Sequence, residues 1–142
     1  MNIHFSTKSG EWSTPDELFD KLNVLYKFDL DVCATHENAK CHRHYTKKDN
    51  AFHQVWHRDG DRIWMNPPYG RKIIDWIRKA YVESQNGCVV VCLLPARTDT
   101  LWFHELCTKG DITFLRGRLK FGNSKNSAPF PSMLVVFGER TD

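Results

Sequence analysis

Asn66, Pro67, Pro68 and Tyr69 stand in a row, and together they offer what is needed to grip a planar amine. The lone pair of an exocyclic aromatic amine is delocalised into its ring, which makes the nitrogen a poor nucleophile. A side-chain amide oxygen and a main-chain carbonyl, each accepting one N–H, draw such a nitrogen toward sp³ geometry and expose the lone pair. Prolines stiffen the backbone, so the acceptors stay where they are placed. A tyrosine beside them supplies an aromatic face for a base turned out of a nucleic-acid stack. The same residue types also compose ordinary turns, so the flanking elements decide between the two uses.

Arg62-Ile63-Trp64-Met65 reads as a strand that runs straight into the tetrapeptide, and a proline pair belongs neither in a central strand nor in a helix interior. Residues 71–86 read as a helix with Ile73, Ile74, Ile77, Ala80 and Tyr81 on one face, closed by Gly87. The tetrapeptide is therefore predicted to be a loop at the carboxyl end of a strand. Upstream, Thr14 as N-cap, Pro15 at the first helical position and Glu17 predict a capping box that opens a helix with Leu18, Phe19, Leu22 and Leu25 on its apolar face. Phe28 to Cys33 alternates as a strand, Cys88 to Leu94 is a buried apolar strand, Asp99 to Lys109 a helix, and Ile112–Leu115 and Met133–Phe137 are two further strands.

This succession predicts an α/β fold, a doubly wound, mostly parallel sheet with a C-terminal antiparallel strand, in one domain spanning residues 1–142. In such sheets ligands sit beyond the carboxyl ends of the strands, where the winding reverses. Asp31, Cys33 and the Asn66–Tyr69 loop all fall at strand ends, which points to one shared site.

With 142 residues, 41% of them hydrophobic, the chain has room for one core and not for two. No apolar run is long enough for a membrane span, and Met1-Asn2-Ile3-His4 does not open like a signal peptide, so a soluble, cytoplasmic protein is expected. Five cysteines are an odd number, and Cys88 and Cys92 lie within an apolar run, which fits reduced, packed thiols. Cys33, His36, Cys41, His42 and His44 crowd together, but without a closely spaced cysteine pair no metal is expected. The net charge of +3 is uneven: Lys40, Arg43, Lys47 and Lys48 form one basic stretch, and Arg116, Arg118, Lys120 and Lys125 another. Either could neutralise phosphates or be solvated surface. Arg116, Arg118 and Lys120 alternate as on a strand and would project to one face.

Beyond single motifs, the chain resembles the phage-type DNA N6-adenine methyltransferases of the Dam family. The resemblance is carried by Trp12-Ser13-Thr14-Pro15, Leu30-Asp31-Val32-Cys33-Ala34, Asn66-Pro67-Pro68-Tyr69-Gly70, Leu94-Pro95-Ala96-Arg97-Thr98, Gly117-Arg118-Leu119-Lys120-Phe121 and Pro129-Phe130-Pro131-Ser132-Met133. It implies S-adenosylmethionine as cofactor and a methyltransferase Rossmann-like fold. Thr14 and Pro15 would lie near the methionine end of the cofactor, Asp31, Cys33 and Ala34 would contact it after the first strand, and Asp49 would hold its adenosine. The glycine-rich turn usual after the first strand is replaced by Cys33-Ala34-Thr35.

The partner implied is double-stranded DNA, bound by a monomer or homodimer. Many such enzymes add a separate recognition domain, for which this length leaves no room, so base readout falls to residues 116–130 with Arg97 nearby. Methylation of a glutamine amide in protein or of cytosine N4, and a noncatalytic DNA-binding module of the same fold, are the competing readings.

Overall fold

The computed structural model describes residues 13–122 and 125–138, leaving Trp12 and the rest of the N-terminus, Asn123 and Ser124 outside the described residues. Helix α1 (Asp16–Tyr26) leads into strand β1 (Leu30–Asp31), two 3₁₀ turns (Lys47–Asp49 and Ala51–His53) and the single-turn helix α2 (Trp56–Asp59). Strand β2 (Arg62–Met65), helix α3 (Ile73–Ser84), strand β3 (Val89–Pro95), helix α4 (Leu101–Glu105), strand β4 (Asp111–Phe114) and strand β5 (Ser132–Phe137) follow.

The five strands form one mixed sheet in the order β1-β2-β3-β5-β4. β1, β2 and β3 pair in parallel, while β5 inserts between β3 and β4 and runs antiparallel to both. The α/β class therefore stands, but half of the pairings are antiparallel. β1, β2 and β3 follow one another in a single direction and the order steps back only at β5, so the ends of β1 and β2 are not a switch point; the site lies at the carboxyl ends of two parallel neighbours at the sheet's edge.

The period-2 alternation of strand side chains sorts the core onto two faces. Ile63, Met65, Val90, Cys92, Leu94, Met133, Val135 and Phe137 pack with Ile73, Ile77 and Ala80 of α3 and Trp102 and Phe103 of α4. Trp64, Val91, Leu93 and Leu134 face the other way, against Phe19 of α1 and against Phe121, Ala128 and Phe130. The segment after β4 thus serves as a covering layer as well as a loop.

Two local expectations are corrected. Pro15 is the N-cap of α1 and no side chain caps it, so the capping box on Thr14 does not form; the Thr14 hydroxyl is engaged elsewhere. Leu25 is 76% exposed, and Tyr26 completes the packed stripe with Leu18, Phe19 and Leu22, because spacings of three and four keep those residues on the sheet side. The strand expected over Phe28–Cys33 is confined to Leu30–Asp31, the helix expected from Asp99 to Lys109 is divided into α4 and a 3₁₀ turn at Cys107–Lys109, and the later strands and α3 fall close to their predicted ranges.

A buried carboxylate ties α2 to α3. Glu83 is 4% exposed and accepts from the backbone N–H and Nδ1 of His57, at 2.9 and 2.6 Å, and from Lys79 Nζ at 2.8 Å. Lys79 also reaches the Gln54 carbonyl, so the cluster anchors the segment that leads out of the 3₁₀ turns. Burial alone would raise the Glu83 pKa, but the Lys79 and His57 bonds outweigh it and hold it below the ordinary value. Glu83→Gln should cost about 1.5–3 kcal/mol, since charge-assisted bonds are lost while their donors stay partly buried. The check is a lower urea midpoint at unchanged slope, and an unaltered midpoint would count against the cluster.

Candidate active site

β1 and β2 are in register, with Asp31 opposite Trp64. The chain leaves both strands on the same side, so Cys33-Ala34 and Asn66-Pro67 emerge next to each other. A cleft of about 1030 Å³ opens there, and among its walls are Thr14, Asp31, Cys33, Ala34, Asn66, Pro67 and Pro68. Phe52, Trp64 and Trp76 give it aromatic surface. Six residues that sequence reasoning placed in two separate segments and the tetrapeptide thus share one cavity with the Asn66 side chain.

Asp31 organises its wall. The residue is 2% exposed, its Oδ1 accepts the Cys33 N–H at 3.2 Å and its Oδ2 accepts the Lys40 N–H at 3.0 Å. One carboxylate therefore closes the turn after β1 and fastens the far end of the 33–40 loop. Burial raises its pKa to about 6, although both backbone bonds pull it down. Burial, together with Asp31, pushes the Cys33 thiol up to about 12, so no thiolate nucleophile stands at this position near neutral pH.

The N-terminal strap joins the two loops. Asn66 Nδ2 donates to Thr14 Oγ1 at 3.1 Å, and the single Tyr69 hydroxyl proton is shared between Asn66 Oδ1 and the Leu93 carbonyl, each 3.2 Å away. The Ser13 hydroxyl accepts from Asn38 Nδ2 and the Ser13 carbonyl from the Gly122 N–H at 2.8 Å. Lys40 Nζ meets Asp16 Oδ1 at 2.5 Å and holds that carboxyl below its ordinary value. Sequence reasoning met Ser13 only within a motif and Lys40 only within a basic stretch, and gave Asn38 and Gly122 no place in the site, because their bonds span distant segments that no local pattern relates.

Tyr69 is wedged edge-on against Phe130 and Phe121, with ring centroids 5.3 and 6.3 Å away. Burial pushes its hydroxyl far above the ordinary tyrosine range, which keeps it a proton donor. With Gly70, Pro95, Arg97, Trp102, Pro129 and Phe130 it also borders a smaller cavity of about 290 Å³. The tetrapeptide consequently separates two spaces, Asn66 and the prolines facing one and Tyr69 the other. Arg97 lines this second space.

The remaining candidates lie further out. Pro15 caps α1 beside Thr14. Asp49 closes a capping box on Thr46, accepting its N–H at 2.7 Å, and that bond holds the exposed carboxyl below its ordinary value. Its neighbours Thr46, Lys47, Lys48 and Asn50 line the cleft. Arg116, Arg118, Lys120 and Lys125 are exposed, but the first three do not form a strand: β4 ends at Phe114 and Gly117 takes φ +75°. Their outward direction survives because Leu115, Leu119 and Phe121 between them pack on the sheet. His36 Nδ1 and His44 Nε2 meet at 2.9 Å; among the described residues no three His, Cys, Asp or Glu side chains are grouped to hold a metal.

The raised Asp31 pKa predicts a pH dependence. An acid whose folded pKa lies above its ordinary 3.8 costs no stability below that value, costs progressively more as pH rises toward 6, and costs its full amount above it. The shift to about 6 corresponds to about 3 kcal/mol. Asp31→Asn cannot titrate, so whatever fixed offset its altered hydrogen bonds introduce, its stability relative to the parent should improve by about 2–3 kcal/mol from pH 4 to 7. Urea unfolding across that range checks this; parallel curves would remove Asp31 as the buried acid.

Comparison with known proteins places the chain in a family. The family model described as DNA N-6-adenine-methyltransferase (Dam) matches residues 4–140. A DNA N-6-adenine-methyltransferase of Escherichia phage T1 is 37% identical over 95 residues, 66% of this chain but only 39% of that protein's length. A second, from Haemophilus phage HP1, is 30% identical over 150 residues, covering 96% of this chain and 85% of the relative. With nearly its whole length matched, the chain belongs to the Dam family of DNA N-6-adenine-methyltransferases.

Proposed function

We propose that this chain transfers a methyl group from S-adenosylmethionine to the exocyclic N6 of an adenine flipped out of double-stranded DNA. The observation that carries the reading is the Thr14–Asn66–Tyr69 hydrogen-bonded chain, which holds an amide at the junction of two cavities. The cleft at the ends of β1 and β2 fits the cofactor: its volume of about 1030 Å³ is at the upper end of small-molecule sites, and aromatic walls with a few fixed polar groups are what such sites offer. Thr14, Asp31, Cys33 and Ala34 would hold it, with Pro15 behind Thr14 and Asp49 at the rim. When bound there it supplies an electrophilic methyl.

The protein's own residues supply the rest. Asn66 Oδ1 and a main-chain carbonyl of the proline pair accept the two N6 hydrogens, localising the lone pair as the amine attacks. Tyr69 and Phe130 enclose the base and exclude water, so alignment provides much of the rate increase. No covalent enzyme intermediate is needed, in keeping with a neutral Cys33. Arg116, Arg118, Lys120 and Lys125 neutralise phosphates, Arg97 approaches the extruded base, and residues 116–130 serve as the recognition loop of a single catalytic domain.

Transfer of labelled methyl to adenine-containing DNA tests the reading. Asn66→Ala should lower kcat about 100- to 1000-fold, and Tyr69→Ala should also lose activity. Label recovered in glutamine or cytosine, or cofactor binding without transfer, would replace this reading with one of its rivals. For the basic segment, changing Arg116 and Arg118 together to Ala should reduce the slope of log affinity against log salt by about one for each phosphate that is no longer neutralised. An unchanged slope would place the DNA elsewhere.

A further inference from the structure

Asn66 can serve as an acceptor for an amine only if its oxygen, and not its NH₂, is presented, yet a carboxamide is nearly symmetric in shape and can rotate by half a turn. In water nothing would choose between the two orientations. In this fold both ends of the amide are engaged: Nδ2 donates to Thr14 Oγ1 at 3.1 Å, and Oδ1 accepts from Tyr69 Oη at 3.2 Å. Thr14 is 4% exposed, so water does not readily substitute for its hydroxyl.

We infer that Thr14 is a positioning residue which holds the Asn66 carboxamide in place for the substrate amine. This rests on the proposed amine methylation and adds to Thr14 a role distinct from contact with the cofactor. A hydroxyl can accept from Nδ2 or donate to Oδ1, so the Thr14 bond restrains the carboxamide whichever way it is turned, and valine in its place would leave that end of the amide unheld. The reversed amide would set two donors against each other at the reacting nitrogen. The Thr14 backbone is in turn restrained: the preceding Ser13 carbonyl accepts the Gly122 N–H, and the Pro15 that follows begins α1. The hydroxyl is thus fixed from both sides in sequence.

The experiment compares Thr14→Val and Thr14→Ser for methyl transfer to adenine-containing DNA, with kcat and the KM of both substrates determined separately. Valine keeps the branched shape and loses the acceptor; serine keeps the acceptor and loses the methyl. Thr14→Val should lower kcat about 10- to 100-fold, the scale of a misplaced reacting group, while both KM values move far less, and Thr14→Ser should recover most of the loss. A valine variant with full kcat and only a raised cofactor KM would make Thr14 a cofactor contact and overturn the inference, as would a serine variant no better than valine. If the valine variant does not fold, the Thr14→Ala and Thr14→Ser pair carries the same comparison, since only serine retains the hydroxyl. Absence of transfer by the unaltered protein would instead remove the reading on which the inference rests.

Discussion

A carboxylate taken out of water must be given donors, and the Asp31 carboxylate is given two backbone N–H groups from opposite ends of one loop. Much of the site depends on that exchange. Because Cys33 and Lys40 are held by the same side chain, the intervening residues are forced into an arch instead of continuing β1. That arch is a wall of the main cleft. Lys40, fixed at its backbone, can reach Asp16 at the start of α1, and the strap before α1 carries the hydroxyl that meets Asn66. One desolvated acid therefore links the wall of the main cleft to the Asn66 amide. The raised pKa is the physical trace of this arrangement: desolvation outweighs the two bonds, so the position is costly for the fold and useful for the cleft.

The elements that position the site were legible where local chemistry alone decides. An alternating strand ending in two prolines can only stop and turn, so the Asn66–Tyr69 loop and its place at a strand end follow from Arg62–Tyr69. The valine-rich run at Cys88–Leu94 is buried on both faces because it is central, and its neighbours β2 and β5 are equally apolar. Sheet order was not legible. Nothing in the sequence of β5 distinguishes a strand that adds to the edge from one that inserts beside β3, since both require the same apolar alternation.

Local rules also failed where a tertiary partner competed. Thr14, Pro15 and Glu17 carry a capping signature, but α1 starts one residue later than it implies, with Pro15 at the N-cap, and the Thr14 hydroxyl is turned to Asn66 Nδ2. The missing cap at α1 is thus a local cost set against order in the site. The basic residues after β4 show the converse. Their strand reading was wrong, yet their outward direction was right, because Leu115, Leu119 and Phe121 supply the inward half of the alternation through packing on the sheet and not through a ladder. Asp49 shows a third case, in which the expected acid is present but its carboxylate is turned to Thr46.

Packing of the post-β4 segment bears on how so small a domain can couple binding to chemistry. Phe121 and Phe130 belong to the apolar cluster on one face of the sheet, and both rings touch Tyr69. The basic side chains of the same segment point to solvent. A segment with one face in the core and the other free to meet phosphates cannot shift on its charged side without disturbing the aromatic side, because close-packed interiors transmit strain. The Ser13–Gly122 bond extends the same connection to the strap and through Thr14 to Asn66. The covering layer of the sheet, the wall around Tyr69 and the basic surface are one stretch of chain, which ties the charged surface to the geometry of the Asn66 amide.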